Sequence, residues 1–167
     1  MCPTRIRDFK MKIEKVNIKV TGDFEVVIKV DSGTISIGAT GAIVDIELNG
    51  NLTYNVLSKV SSIGSIAIEY NMSGKICSIG STSIEYNMSG KISSIGSIPI
   101  EYNMSGKISS IGSTSIVYNI SGKVSSIGNK SVGYNMSGKV VSGNRVVVYN
   151  DIAFALKGGY WLENRTI

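Results

Sequence analysis

The chain has 167 residues, with 17 Lys+Arg against 12 Asp+Glu, no histidine and a formal net charge of +5. At 43% apolar and 17% charged it is too apolar and too weakly charged for a disordered chain. No apolar run approaches the ~18 residues of a membrane-spanning helix. The absence of histidine excludes Ser–His triads, histidine metal ligands and histidine acid–base chemistry.

Residues 1–10 lack the apolar core of a signal peptide and read as a disordered leader. Cys2 and Cys77 are the only cysteines, so free thiols in a reducing, cytoplasmic compartment are expected. Residues 11–50 form an irregular β cap. In it Met11–Val20, Phe24–Val30, Thr34–Ile37 and Ala42–Leu48 alternate apolar with polar residues, as half-buried strands do.

From residue 51 to 143 a 16-residue unit repeats. Tyr-Asn recurs at Tyr54, Tyr70, Tyr86, Tyr102, Tyr118 and Tyr134, and Tyr149-Asn150 follows after 15 residues. Lys59, Lys75, Lys91, Lys107, Lys123 and Lys139 form a second column. Gly74, Gly90, Gly106, Gly122 and Gly138 form a third, with Ser58 in the first copy. A weaker 32-residue echo alternates Ile66 and Ile98 with Thr82 and Thr114.

Each unit holds two short runs of period two, separated by Asn-x-Ser-Gly. Asn at the first position and Gly at the fourth predict a type I turn closed by a left-handed glycine bulge. That register sets Tyr70 opposite Ile76 and Ile68 opposite Ser78. It puts the tyrosine and lysine columns on opposite faces. Residues 144–167 supply closing strands at Arg145–Asn150 and Ile152–Leu156, then a tail in which Trp161 caps the apolar layer.

The expected fold is all-β: an antiparallel meander of hairpins curled into a barrel-like or spiral shell. The alternative is a β-solenoid with one 16-residue coil per repeat. An outer-membrane barrel fits poorly, because spanning strands need about 9–11 residues and the repeat strands are shorter.

The segment Tyr70-Asn71-Met72-Ser73-Gly74-Lys75-Ile76 resembles the YD (Rhs-type) repeat, with Asn for its Asp and Lys for its Arg. The same positions match at Tyr86–Ile92, Tyr102–Ile108, Tyr118–Val124 and Tyr134–Val140, over roughly residues 52–142. The resemblance implies hairpins that build curved β-sheets and carry no chemistry themselves. The period here is shorter than that family's.

Several patterns bear on function. Tyr70, Tyr86, Tyr102, Tyr118 and Tyr134 offer a stacking ladder for bases or sugar rings, or else a packing column. Asn71, Asn87, Asn103, Lys75, Lys91, Lys107, Lys123 and Lys139, with Glu69, Glu85 and Glu101, form a candidate polar interaction surface. Charge is patchy: residues 1–20 carry +4, 21–53 carry −4 and the repeats +4. Asn-x-Ser at Asn71, Asn87, Asn103, Asn119 and Asn135 matches a glycosylation acceptor, but the turn already requires these residues. Cys77 lacks a histidine to activate it, and Asp45 with Glu47 gives only two carboxylates on one strand face.

The expected function is therefore a non-catalytic structural or interaction repeat module without cofactors. Its expected partners are a second copy through sheet edges or an unidentified protein. The alternative is a glycan- or nucleic-acid-binding module using the tyrosine and lysine columns.

Overall fold

A computed structural model describes residues 12–30, 33–48, 52–137, 140–142, 146–149 and 152–157. Cys2, Gly138, Lys139, Asn150 and Trp161 lie outside this set, and the side chain of Tyr149 is likewise undescribed. Among the described residues there is no helix.

The N-terminal strands are β1 (Lys12–Lys19), β2 (Phe24–Val30), β3 (Gly33–Gly38) and β4 (Ile43–Leu48). Alternation along β2 buries Phe24, Val26, Ile28 and Val30 and leaves the residues between them more open.

The repeats give β5 (Leu52–Tyr54), β6 (Val60–Ile63), β7 (Ile66–Tyr70), β8 (Ile76–Ile79), β9 (Thr82–Tyr86), β10 (Ile92–Ile95) and β11 (Ile98–Tyr102). They continue as β12 (Ile108–Ile111), β13 (Thr114–Tyr118), β14 (Val124–Ile127) and β15 (Lys130–Ser131). A short pair, β16 (Gly133–Tyr134) and β17 (Val140–Ser142), follows. The C-terminal strands are β18 (Val146–Tyr149) and β19 (Ile152–Lys157).

The expected antiparallel meander is present. Strands β5 to β15 form an 11-stranded sheet in chain order, each pairing antiparallel with the next. The order is linear, with β5 and β15 at its ends. The second sheet has six strands in the order β18-β19-β1-β2-β3-β4. Its β1–β19 pairing is parallel, with Val16 opposite Phe154 and Ile18 opposite Leu156. Alternation within single segments carries no signal for that pairing.

Two kinds of turn build the meander. Between β7 and β8, Gly74 N–H donates to the Asn71 carbonyl at 2.9 Å and Asn71 N–H to the Lys75 carbonyl at 2.8 Å. Gly74 sits at φ +83°, the left-handed conformation that this turn-plus-bulge demands. Between β8 and β9 the turn has two residues, Gly80-Ser81, with positive φ only at the glycine, the type II′ pattern.

One register expectation is corrected. Ile68 opposes Ile79, not Ser78, which instead faces Glu69. A bulge between the Glu69 and Tyr70 pairs makes Cys77 the extra residue. Ile76 and Ile79 are three apart, so strict alternation would put them on opposite faces. The bulge resets the alternation, and both are buried. The same shift recurs in β9–β10, β11–β12 and β13–β14. Cys77 is also buried, and it is disulfide-bonded rather than the free thiol expected.

The chain divides into two compact units. The first comprises Met1–Glu14 with Val26–Pro99, and the second Lys15–Glu25 with Ile100–Ile167. Each combines N-terminal strand residues with a run of repeats. Buried Val26, Ile28, Ile35, Ile37, Ile63, Ile68, Ile79 and Ile95 belong to the first. Buried Val16, Ile18, Phe24, Ile108, Ile111, Ile116, Ile127 and Phe154 belong to the second.

Candidate functional site: the tyrosine and lysine columns

The asparagine column is committed to its own turns. Asn71 Oδ1 accepts the N–H groups of Ser73 and Lys75 at 2.9 and 3.0 Å. Asn87 and Asn103 make the same pair of bonds at the same distances. In the first copy Asn55 bonds Leu57 and Lys59 at 2.8 and 3.1 Å. These Asx bonds take N–H donors that the strand ladder leaves unpaired.

The tyrosine column is half-buried and reaches backward. The hydroxyls of Tyr70, Tyr86, Tyr118 and Tyr134 donate to the carbonyls of Val60, Ile76, Ile108 and Val124, at 2.7, 2.5, 2.5 and 2.6 Å. Each acceptor lies ten residues upstream, in the return strand of the preceding hairpin. Burial pushes the Tyr86 phenol up to about 12. Burial first, and then the negative charge of Asp23, brings Tyr118 to about 12. Tyr70, Tyr102 and Tyr134 are raised by burial as well.

The lysine column reaches forward. The ammonium groups of Lys59, Lys75, Lys107 and Lys123 stand 5.1, 5.0, 5.3 and 5.5 Å from the ring centroids of Tyr70, Tyr86, Tyr118 and Tyr134. Lys59, Lys75 and Lys107 also donate from Nζ to the carbonyls of Gly74, Gly90 and Gly122, at 2.9, 2.5 and 2.5 Å. The expected separation of the two columns onto opposite faces therefore does not describe these ammonium groups. The left-handed residue before each lysine, Ser58 in the first copy and glycine in the others, re-aims it, and the long side chain crosses to the next repeat's tyrosine.

The result is a clasp between successive hairpins. The ring of each clasped tyrosine takes a cation, its hydroxyl donates to the preceding strand's carbonyl, and Lys59, Lys75 and Lys107 close on the next turn. Glycine is required there for two reasons. Besides the positive φ, a Cβ at Gly74, Gly90 or Gly122 would come within 2.6–2.8 Å of the incoming lysine Nζ.

Turns of the N-terminal strands dock on this layer. In the first unit Ile92 N–H donates to the Ala39 carbonyl at 2.8 Å, and Gly41 lies so close to the Tyr86 ring and hydroxyl that a side chain there would overlap them. In the second, Val124 N–H donates to the Val20 carbonyl at 2.9 Å, Gly22 rests on the Lys107 stem, and Phe24 and Tyr102 rings stand 6.1 Å apart.

The acidic candidates divide. Glu69 is half-buried and accepts from Ser78 Oγ at 3.1 Å, whereas Glu85 and Glu101 are exposed. Asp45 and Glu47 are exposed on β4. Among the described residues no group of three His, Cys, Asp or Glu side chains is placed to hold a metal ion. No described helix is long and apolar enough to cross a membrane.

One feature escaped the sequence reading. Val56, Met72, Met88, Met104, Ile120 and Met136 are all 95–107% exposed, at the residue after the turn asparagine. The available signal was an apolar residue at one turn position in every copy.

These features define an all-β meander of clasped hairpins. Comparison of the chain with protein-family models, curated proteins and solved structures finds no significant match.

Proposed function

We propose that the chain is a non-catalytic structural or interaction module, a regular β scaffold whose tyrosine and lysine columns hold its own repeats together. The observation carrying this reading is the clasp. Tyrosine hydroxyls and lysine ammonium groups, which a glycan or nucleic-acid site would turn toward its ligand, are engaged with neighbouring repeats. A stacking platform needs open ring faces beside free cations. Tyr70, Tyr86, Tyr118 and Tyr134 already have a lysine over one face. The YD-type resemblance, with its hairpins that carry no chemistry, agrees with this reading.

A double-mutant cycle tests it. Lys75→Met and Tyr86→Leu are made singly and together, and urea unfolding is measured. The scaffold reading expects each single change to destabilise by about 1–2 kcal/mol. It expects a coupling of about 0.5–1 kcal/mol between them. Unchanged stability, together with loss of a measurable glycan or single-stranded nucleic-acid affinity, would favour the ligand platform instead.

A further inference from the structure

We propose that the hairpin tips of each unit are an insertion edge for an anionic lipid surface. The first unit presents Val56, Met72 and Met88, and the second presents Met104, Ile120 and Met136. Along one sheet edge Val56, Met72 and Met88 stand two strands apart, as do Met104 and Ile120, about 10 Å by strand spacing, and Met136 sits at the tip of the separate β16–β17 pair. All are as exposed as a residue in a free chain.

Nothing in the turn calls for an apolar residue there. The second position of this turn accepts most residue types, and Asn, Ser and Gly around it already serve the turn. Solvation favours a polar residue at so open a place. Methionine is ordinarily a gap-filler of cores, yet every described methionine is at a tip. Val56 and Ile120 share the column, so its common property is an apolar side chain and not an oxidisable sulfur.

The clasps place positive charge in the same loops. Lys59 and Lys75 Nζ lie on the carbonyls of Gly74 and Gly90, in the turns that carry Met72 and Met88. Lys107 Nζ lies on Gly122, in the turn that carries Ile120. The turn segments 55–59, 71–75, 87–91, 103–107 and 119–123 contain no Asp or Glu. An apolar projection beside a fixed cation suits the interface of an anionic bilayer, where burial and surface potential act together.

Each tip side chain projects fully into solvent as a separate point. A bilayer deforms around such projections and needs no matching shape. A second copy meeting tip to tip would oppose lysine with lysine. The inference goes beyond the scaffold reading and fails separately from it, because changes at the tips leave the clasps intact.

The test is co-sedimentation of the full chain with phosphatidylcholine vesicles, with and without about a third phosphatidylserine. Wild type is compared with V56T/M72Q/M88Q and with M104Q/I120T/M136Q. Binding that requires phosphatidylserine and weakens with salt is expected, with a loss on the order of tenfold in each triple variant. Circular dichroism and the unfolding midpoint should stay unchanged. No phosphatidylserine-dependent sedimentation of wild type would overturn the proposal. So would equal binding by the triple variants, or self-association of wild type that the triple variants abolish.

Discussion

Ser58 stands at φ +64° in the position that glycine fills in later repeats. The residue fifteen positions upstream is Ile43, not a lysine, so no clasp closes over this turn and its Cβ has room. Ser58 still carries the cost of left-handed backbone, ~1–2 kcal/mol for an L-residue. Ser58→Gly should therefore stabilise by about 0.5–1 kcal/mol, after the extra chain entropy of glycine is deducted. Gly90→Ala should do the reverse, by about 2 kcal/mol, because strain and the Lys75 ammonium oppose the new methyl together. Chemical denaturation of the two variants checks both signs.

Tyr86 and Tyr118 keep their protons to about 12 in the fold, against 10 in the unfolded chain. The unfolded state thus loses these protons first. Stability is complete below pH 10 and falls as pH rises toward 12. Phenolate absorbance followed with circular dichroism should show these tyrosines ionising together with unfolding, not before it.

At the scale of the element, the hairpin was the most legible part of the sequence. Asn-x-Ser-Gly specifies its turn chemistry locally, and the turn asparagines bond as that chemistry requires. Asn87→Ala should cost about 1 kcal/mol by removing an acceptor from two N–H groups, measured as a drop in unfolding midpoint. The bulge was misread because strict alternation was carried through it, although Ile76 and Ile79 three apart already conflict with a regular strand. The clasp was missed because its columns were compared within a repeat. Lys75 meets Tyr86 across eleven residues, and only comparison between copies reveals that constant offset. The docking of Gly41 on Tyr86 left no local signal at all. Gly41→Ala should destabilise by about 2–4 kcal/mol, from left-handed strain plus overlap with the tyrosine.

At the scale of the whole molecule, alternation identified the outer strands but not their partners. Strand β19 lies parallel to β1 and buries Phe154, Ala155 and Leu156. A parallel pair between distant segments is set by shared burial, which no single segment encodes. Phe154 is completely buried. Phe154→Ala should cost about 3–5 kcal/mol, read from denaturant unfolding.

If the tyrosine column is an internal clasp, tetranitromethane modification followed by peptide mapping will find its rings protected. Tyr54 is 59% exposed, and no earlier lysine lies above it in the column, so it serves as the internal reference. Tyr54 should be nitrated before Tyr70, Tyr86, Tyr118 and Tyr134, which should lag well behind it in the folded chain. Nitration of all five at one rate would contradict the clasp and leave the column an open aromatic ladder.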